Sequence, residues 1–182
     1  ISLLLKVVES SNIAYKIKQY MADGGFLFAM CSATDSYDIA LASLNVDIVD
    51  YVFDGTPIDS RYQEKLNFDN SIAFANYEIY TNPMIYEYST IDIPPGHKPI
   101  AKGAEKDYFT LFEFSAKWDP VPTMLTQNHV GVINGFMGQT TSFDRQYIKN
   151  HVTILGEVPG ENIVKYIYGN VGKGSFTFLG GH

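Results

Sequence analysis

The chain's one cysteine, Cys31, stands where an apolar run, Phe26-Leu27-Phe28-Ala29-Met30, gives way to the small residues Ser32, Ala33 and Thr34. A thiol in that place has two readings. As a nucleophile it needs a base within hydrogen-bond reach, a third group to orient that base, and donors for the oxyanion formed on attack. His182 is the candidate base. The backbone N–H groups at Ser32, Ala33 and Thr34 are the candidate oxyanion donors, because the first donors of a helix have no intrahelical acceptor. As a structural residue, Cys31 is instead a small buried hydrophobe beside Met30, the usual fate of a free cysteine. His129, in the polar run Gln127-Asn128-His129, either lines a pocket or is a solvated loop histidine. Glu113, Asp119 and Glu157 could each supply an orienting carboxylate, with caps and turns as their alternative roles. His97 and His151 receive no role. Four scattered histidines and one cysteine give no zinc-ligand spacing, so no metal is expected. Gly131, Gly135 and Gly138 are not followed by Lys-Ser or Lys-Thr, so no phosphate loop and no cofactor are expected either.

The elements that must position Cys31 are a strand and a helix. Gly24 and Gly25 stop whatever precedes them, and Phe26–Met30 is uninterruptedly apolar over a strand's length, as in strands buried on both faces. After Cys31 the polar stretch offers Asp35 or Ser36 as a helix N-cap, and Tyr37, Ile39, Ala40 and Leu41 begin a helical pattern. A side chain between such a strand and helix sits at the carboxyl edge of a parallel sheet, where α/β proteins place ligands. Upstream, Ile13, Ile17, Tyr20 and Met21 share one face of a helix over residues 3 to 22. The strand that should precede that helix in a crossover unit is absent, so the chain reads as a piece of a longer protein, whose remainder is an expected partner.

Further along, Val46 to Phe53 alternates like a strand or extended segment, closed by a turn at Asp54-Gly55-Thr56-Pro57. Residues 58 to 70 read as loop and Ser71 to Ala75 as a short strand. Prolines and glycines break every periodic run in an irregular covering insertion, about 76–107. Strands are expected at Tyr108–Phe114, Val130–Ile133 and Val152–Leu155. A closing hairpin pairs Ile163–Tyr168 with Ser175–Leu179 around a Gly169–Gly174 turn. All 182 residues form one domain in this reading.

Composition narrows the partners. A net charge of -7 argues against nucleic acid, which demands a basic face, and against anionic membrane surfaces. No stretch reaches the roughly 18 consecutive apolar residues of a membrane span. The apolar start ISLLLKVVES lacks a cleavage site and is not read as a signal peptide. A lone cysteine leans towards a reducing, cytoplasmic compartment. Thirteen tyrosines and twelve phenylalanines either stack on a sugar or fill a β-rich core and a covering loop. A small polar ligand, amide or sugar, is the expected partner.

The strand-Cys31-helix stretch, together with the closing GKGSFTFLGGH, resembles the class I glutamine amidotransferase-like superfamily. There a cysteine sits on a sharp elbow often written G-x-C-x-G, and a histidine follows a late strand. Here the elbow reads Ala29-Met30-Cys31-Ser32-Ala33, with alanine in place of both glycines. The hairpin, through Tyr168, Gly169, Gly172, Gly174, Phe176, Phe178, Gly181 and His182, looks like that of trehalose-utilisation proteins. Nearly the whole chain, including FAMCSATDSYDIALA, LFEFSAKWDPVPTMLTQNH and GFMGQTT, is similar to a bacterial family commonly labelled "asparagine synthetase B". The resemblance implies a flavodoxin-like α/β three-layer sandwich with a mainly parallel sheet, lacking its first strands here. It implies a Cys-His hydrolase of a small amide, with Cys31 attacking and His182 moving the proton. The alternatives are a non-catalytic carbohydrate-binding or small-ligand-binding module that uses the aromatic residues between 76 and 118, or a structural domain of a larger protein.

Overall fold

A computed structural model describes residues 7–82, 84–85, 88–93, 108–111, 131–134 and 142–180, with side chains from residue 12 onward except at Asn134. The first helix, α1 (Val7–Ala22), buries Ala14 and Met21, seven residues apart on one face, and turns Ile13, Tyr15 and Tyr20 outward. It ends where the Gly24 N–H donates to the Met21 carbonyl at 2.9 Å and Gly24 takes a φ of 119°, a conformation that costs glycine least. The chain then enters β1 (Phe26–Met30), turns at Cys31 and runs into α2 (Ala33–Ala42).

Two short helices follow, α3 (Tyr51–Asp54) and α4 (Tyr62–Lys65), and then β2 (Tyr108–Leu111), β3 (Val132–Asn134), β4 (Phe143–Asp144), β5 (Thr153–Glu157), β6 (Ile163–Val171) and β7 (Gly174–Leu179). A single 3₁₀ turn, Arg145–Tyr147, leaves β4. These strands form one seven-stranded sheet in the order β1-β7-β6-β5-β2-β3, with β4 on β6.

This arrangement overturns the expected flavodoxin-like sandwich. Only β1 and β7 run parallel; every other pairing among the described residues is antiparallel. The reason lies in the connections. A parallel neighbour needs a crossover of a dozen or more residues, whereas β5–β6 and β6–β7 are joined by short turns that reverse the chain. The β6–β7 turn is the tightest: Gly172 has a φ of 59°, and Val171 pairs directly with Gly174. The long parallel connection lies between β1 and β7 themselves and contains most of the chain.

β1 also differs from its expected surroundings. Leu27 and Ala29 face the core, but Phe26, Phe28 and Met30 are 53%, 49% and 40% exposed, because β1 is the outer strand of the sheet and its second face is open. The covered face carries Phe176 and Phe178, against which α1 and α2 pack through Met21, Ile39 and their neighbours. Phe74 bridges this layer, 6.2 Å from the Phe178 ring centroid and 5.1 Å from that of Phe143. Among the described residues, then, Phe74, Tyr77, Phe143, Phe176 and Phe178 fill the core, as the plainer reading of the aromatic content expects.

Two expected strands are absent. Val46–Phe53 forms no strand: the Val46 N–H closes a turn on the Ser43 carbonyl at 3.0 Å, and the Asp50 carboxylate accepts from the Val52 N–H at 3.1 Å and starts α3, which Gly55, at φ 79°, ends. Ser71–Ala75 makes a single bridge, Phe74 to Ile148, because a buried carboxylate claims its backbone donors. The insertion about 76–107 is described only in part, and its described residues are tied down by isolated bridges, Ile79 to Ser89 and Asp92 to Phe143.

Candidate functional site

Cys31 occupies the sharpest point of the strand-to-helix turn, with a backbone φ of 56°. That left-handed conformation costs a non-glycine residue roughly 1–2 kcal/mol, so the surrounding bonds must hold it. They do so from both sides. The Cys31 N–H donates to the Leu179 carbonyl at 3.0 Å, and the Cys31 carbonyl accepts from the Thr34 hydroxyl at 2.8 Å and the Thr34 N–H at 3.2 Å. The Ser36 hydroxyl donates to the Ser32 carbonyl at 2.5 Å. The elbow therefore forms with alanines at both flanking small positions. Helix α2 opens one residue after Ser32, earlier than the caps expected at Asp35 or Ser36.

Of the residues singled out in the sequence, the structure brings Cys31, Ser32, Ala33 and Thr34 together. Cys31 and Ser32 are half-buried and Ala33 is exposed, so the turn is reachable from solvent. Thr34 is fully buried, and its hydroxyl is spent on bracing the turn. His182, His129, Glu113, Asp119, His97 and Trp118 lie outside the described residues. The described chain reaches Gly180, which sits one strand from Cys31 because Met30 pairs with Leu179 in register. Glu157 is elsewhere: it stands on β5, three strands from β1, in an ion pair with Arg145. His151 Nε2 lies 3.1 Å from the Ile72 carbonyl, within hydrogen-bond reach of a loop.

Sequence reasoning passed over Lys165, which is 1% exposed on β6. Its carbonyl accepts from the Gly180 N–H at 2.7 Å, which sets Cys31, Gly180 and Lys165 on three successive strands at one end of the sheet. The β5–β6 register slips between Tyr166 and Val164, so Lys165 sits in a bulge, a device that re-aims side chains. The available signal was a lysine amid the apolar alternation Ile163-Val164-Lys165-Tyr166-Ile167. Asp35, 2% exposed in the first turn of α2, is a second buried charge near this end.

A separate buried cluster centres on Asp38, on the inner face of α2. Its carboxylate accepts from the N–H groups of Ile72 and Ala73 at 2.8 Å and of Phe74 at 2.7 Å. Burial pushes its pKa up to about 6, against the opposing pull of those bonds and of the Lys149 charge. Lys18 and Lys149 grip carbonyls of the same loop: Lys18 that of Asn70, and Lys149 those of Phe68 and Ser71, each at 2.6 Å. Burial lowers both ammonium pKa values and raises those of Tyr37 and Tyr77. Both Asp38 carboxylate oxygens accept from backbone N–H groups, so the arrangement is a clamp that orders residues 68–74.

Among the described residues no group of histidine, cysteine and carboxylate side chains is placed to hold a metal, and no helix is long and apolar enough to cross a membrane. Comparison with family profiles, with curated proteins and with solved structures returns no match to this chain.

Proposed function

We propose that the turn at Cys31 is the nucleophilic centre of a thiol-dependent hydrolase acting on a small amide. The observation that carries this reading is the left-handed backbone of Cys31 at a half-buried strand-to-helix junction, a strained placement of the kind that concentrates at reactive sites. The thiolate attacks the amide carbonyl carbon, and the N–H groups of Ser32 and Ala33 receive the oxyanion, that of Thr34 being engaged by the Cys31 carbonyl. The amine leaves with a proton from the base, and water then hydrolyses the thioester. His182 is the base in this scheme. It lies two residues beyond Gly180, which neighbours Cys31 across the sheet, and two residues of chain reach at most about 7 Å. Such a pair is defined by geometry and not by fold, so a mostly antiparallel sheet accommodates it.

The test is covalent labelling by a chloroketone analogue of a small amide such as glutamine, followed by intact mass and peptide mapping. One adduct per chain, on Cys31 and absent from Cys31→Ala, is the expected result. A wild-type chain that stays unmodified under conditions that label a working thiol amidase overturns the reading.

A further inference from the structure

A cleft of about 300 Å³ opens where β2 meets β5, and nothing in the chemistry proposed for Cys31 uses it. Strands lie about 4.8 Å apart, so β5, three steps from β1, places this cleft about 14 Å or more from the thiol. It is lined by Leu111, Ile154 and Leu155 and by Thr110, Arg145 and Glu157, and most of the surface it exposes is polar. The volume is at the low end of small-ligand sites.

The local backbone explains why there is a cleft at all. Ile154 pairs with Ile167 and Gly156 with Tyr166, so β5 advances two residues while β6 advances one, and Leu155 is the extra residue of a bulge. Gly156 lines the opening without a side chain. A Cβ there would meet the Phe109 ring at 2.8 Å, so that ring occupies the space a side chain would take and no larger residue fits. Beside it the Arg145 guanidinium and the Glu157 carboxylate form an ion pair, with side chains 43% and 39% exposed. The Thr110 hydroxyl donates to the Glu157 carbonyl at 3.2 Å and fixes that residue's backbone.

We infer that this cleft is a binding site for a small zwitterion of the free amino acid type. The guanidinium has five donors in a fork suited to a carboxylate, and a single carboxylate partner leaves part of that fork unused. Glu157 suits an ammonium. The pair presents both charges at one mouth. Exposed ion pairs by themselves add only about 0–1 kcal/mol to stability, so the two charges are free to be shared with a ligand at small cost to the fold.

The experiment follows backbone amide shifts by NMR while L-leucine is added to the full chain, with leucinamide and isovalerate as single-charge controls. L-leucine is expected to shift the Arg145, Gly156 and Glu157 amides with a Kd near or below about 1 mM, corresponding to about −4 kcal/mol. Each control is expected to bind at least tenfold more weakly. Arg145→Gln and Glu157→Gln, both at exposed positions, are expected to abolish the shifts while leaving the rest of the spectrum in place. Absence of shifts at ten times that concentration, equal binding of the single-charge controls, or shifts that persist in both variants would overturn the inference. Labelling of Cys31 is unaffected by any of these results.

Discussion

The backbone N–H of Cys31 donates to the Leu179 carbonyl at 3.0 Å, across the one parallel strand pair among the described residues. Residues 148 positions apart in the chain thus share one rim, and the turn that carries the thiol is anchored by the strand leading to His182.

The strain at Cys31 has a measurable cost. At φ 56° glycine has no Cβ to clash with the following carbonyl. Cys31→Gly is therefore expected to be more stable than Cys31→Ala by about 1 kcal/mol, read from urea midpoints. The reverse order would mean that the turn is not left-handed.

Removing the Asp38 carboxylate strands the N–H groups of Ile72, Ala73 and Phe74 in the core. With about 1–3 kcal/mol for each buried donor left unmade, Asp38→Ala is expected to cost at least about 3 kcal/mol. Urea denaturation measures the loss directly, and a change under 1 kcal/mol would show that the loop holds without the clamp.

Asp38 also sets a pH dependence. Its folded pKa of about 6 lies above the ordinary value of 3.8, so between those values the native state binds more protons than the unfolded chain. Stability from this group is then largest below about pH 4 and is lost as pH rises through about 6, a fall on the order of 2–3 kcal/mol. The difference in unfolding free energy between wild type and Asp38→Asn, followed from pH 4 to 7, should decline across that range and level off above about 6. A flat or rising difference would refute the assignment.

Gly172 closes the β6–β7 hairpin at φ 59°, and a Cβ there would lie 2.6 Å from the Ala22 carbonyl oxygen at the end of α1. The neighbouring Lys173 N–H donates to that same carbonyl at 3.0 Å. Gly172→Ala is expected to lower the thermal midpoint by several degrees, since about 1–2 kcal/mol of backbone strain adds to the clash. An unchanged midpoint would place the turn elsewhere.

Some of this was legible in the residues. Phe26–Met30 against Ser32–Thr34 announced a strand, a turn and a helix, and the run from Ile163 to Leu179 announced a hairpin, though β6 extends through Gly169 to Val171 before turning. Sheet direction was not legible. An all-apolar strand such as Phe26–Met30 reads the same whether it is covered on both faces or stands at an edge with Phe26 and Phe28 exposed. Ser71–Ala75 looks like a strand until the Asp38 carboxylate, more than thirty residues away, takes its donors. Lys165 was hidden because a lysine in a strand defaults to the solvent side, whereas β6 is buried on both faces around it.

The pairing of Cys31 with His182 is tested most directly by the rate at which the chloroketone alkylates Cys31 in the wild type and in His182→Ala. At least a tenfold slower reaction is expected in the variant, since general base assistance contributes about 10²–10⁴-fold where it operates. Equal rates in two folded proteins would contradict it.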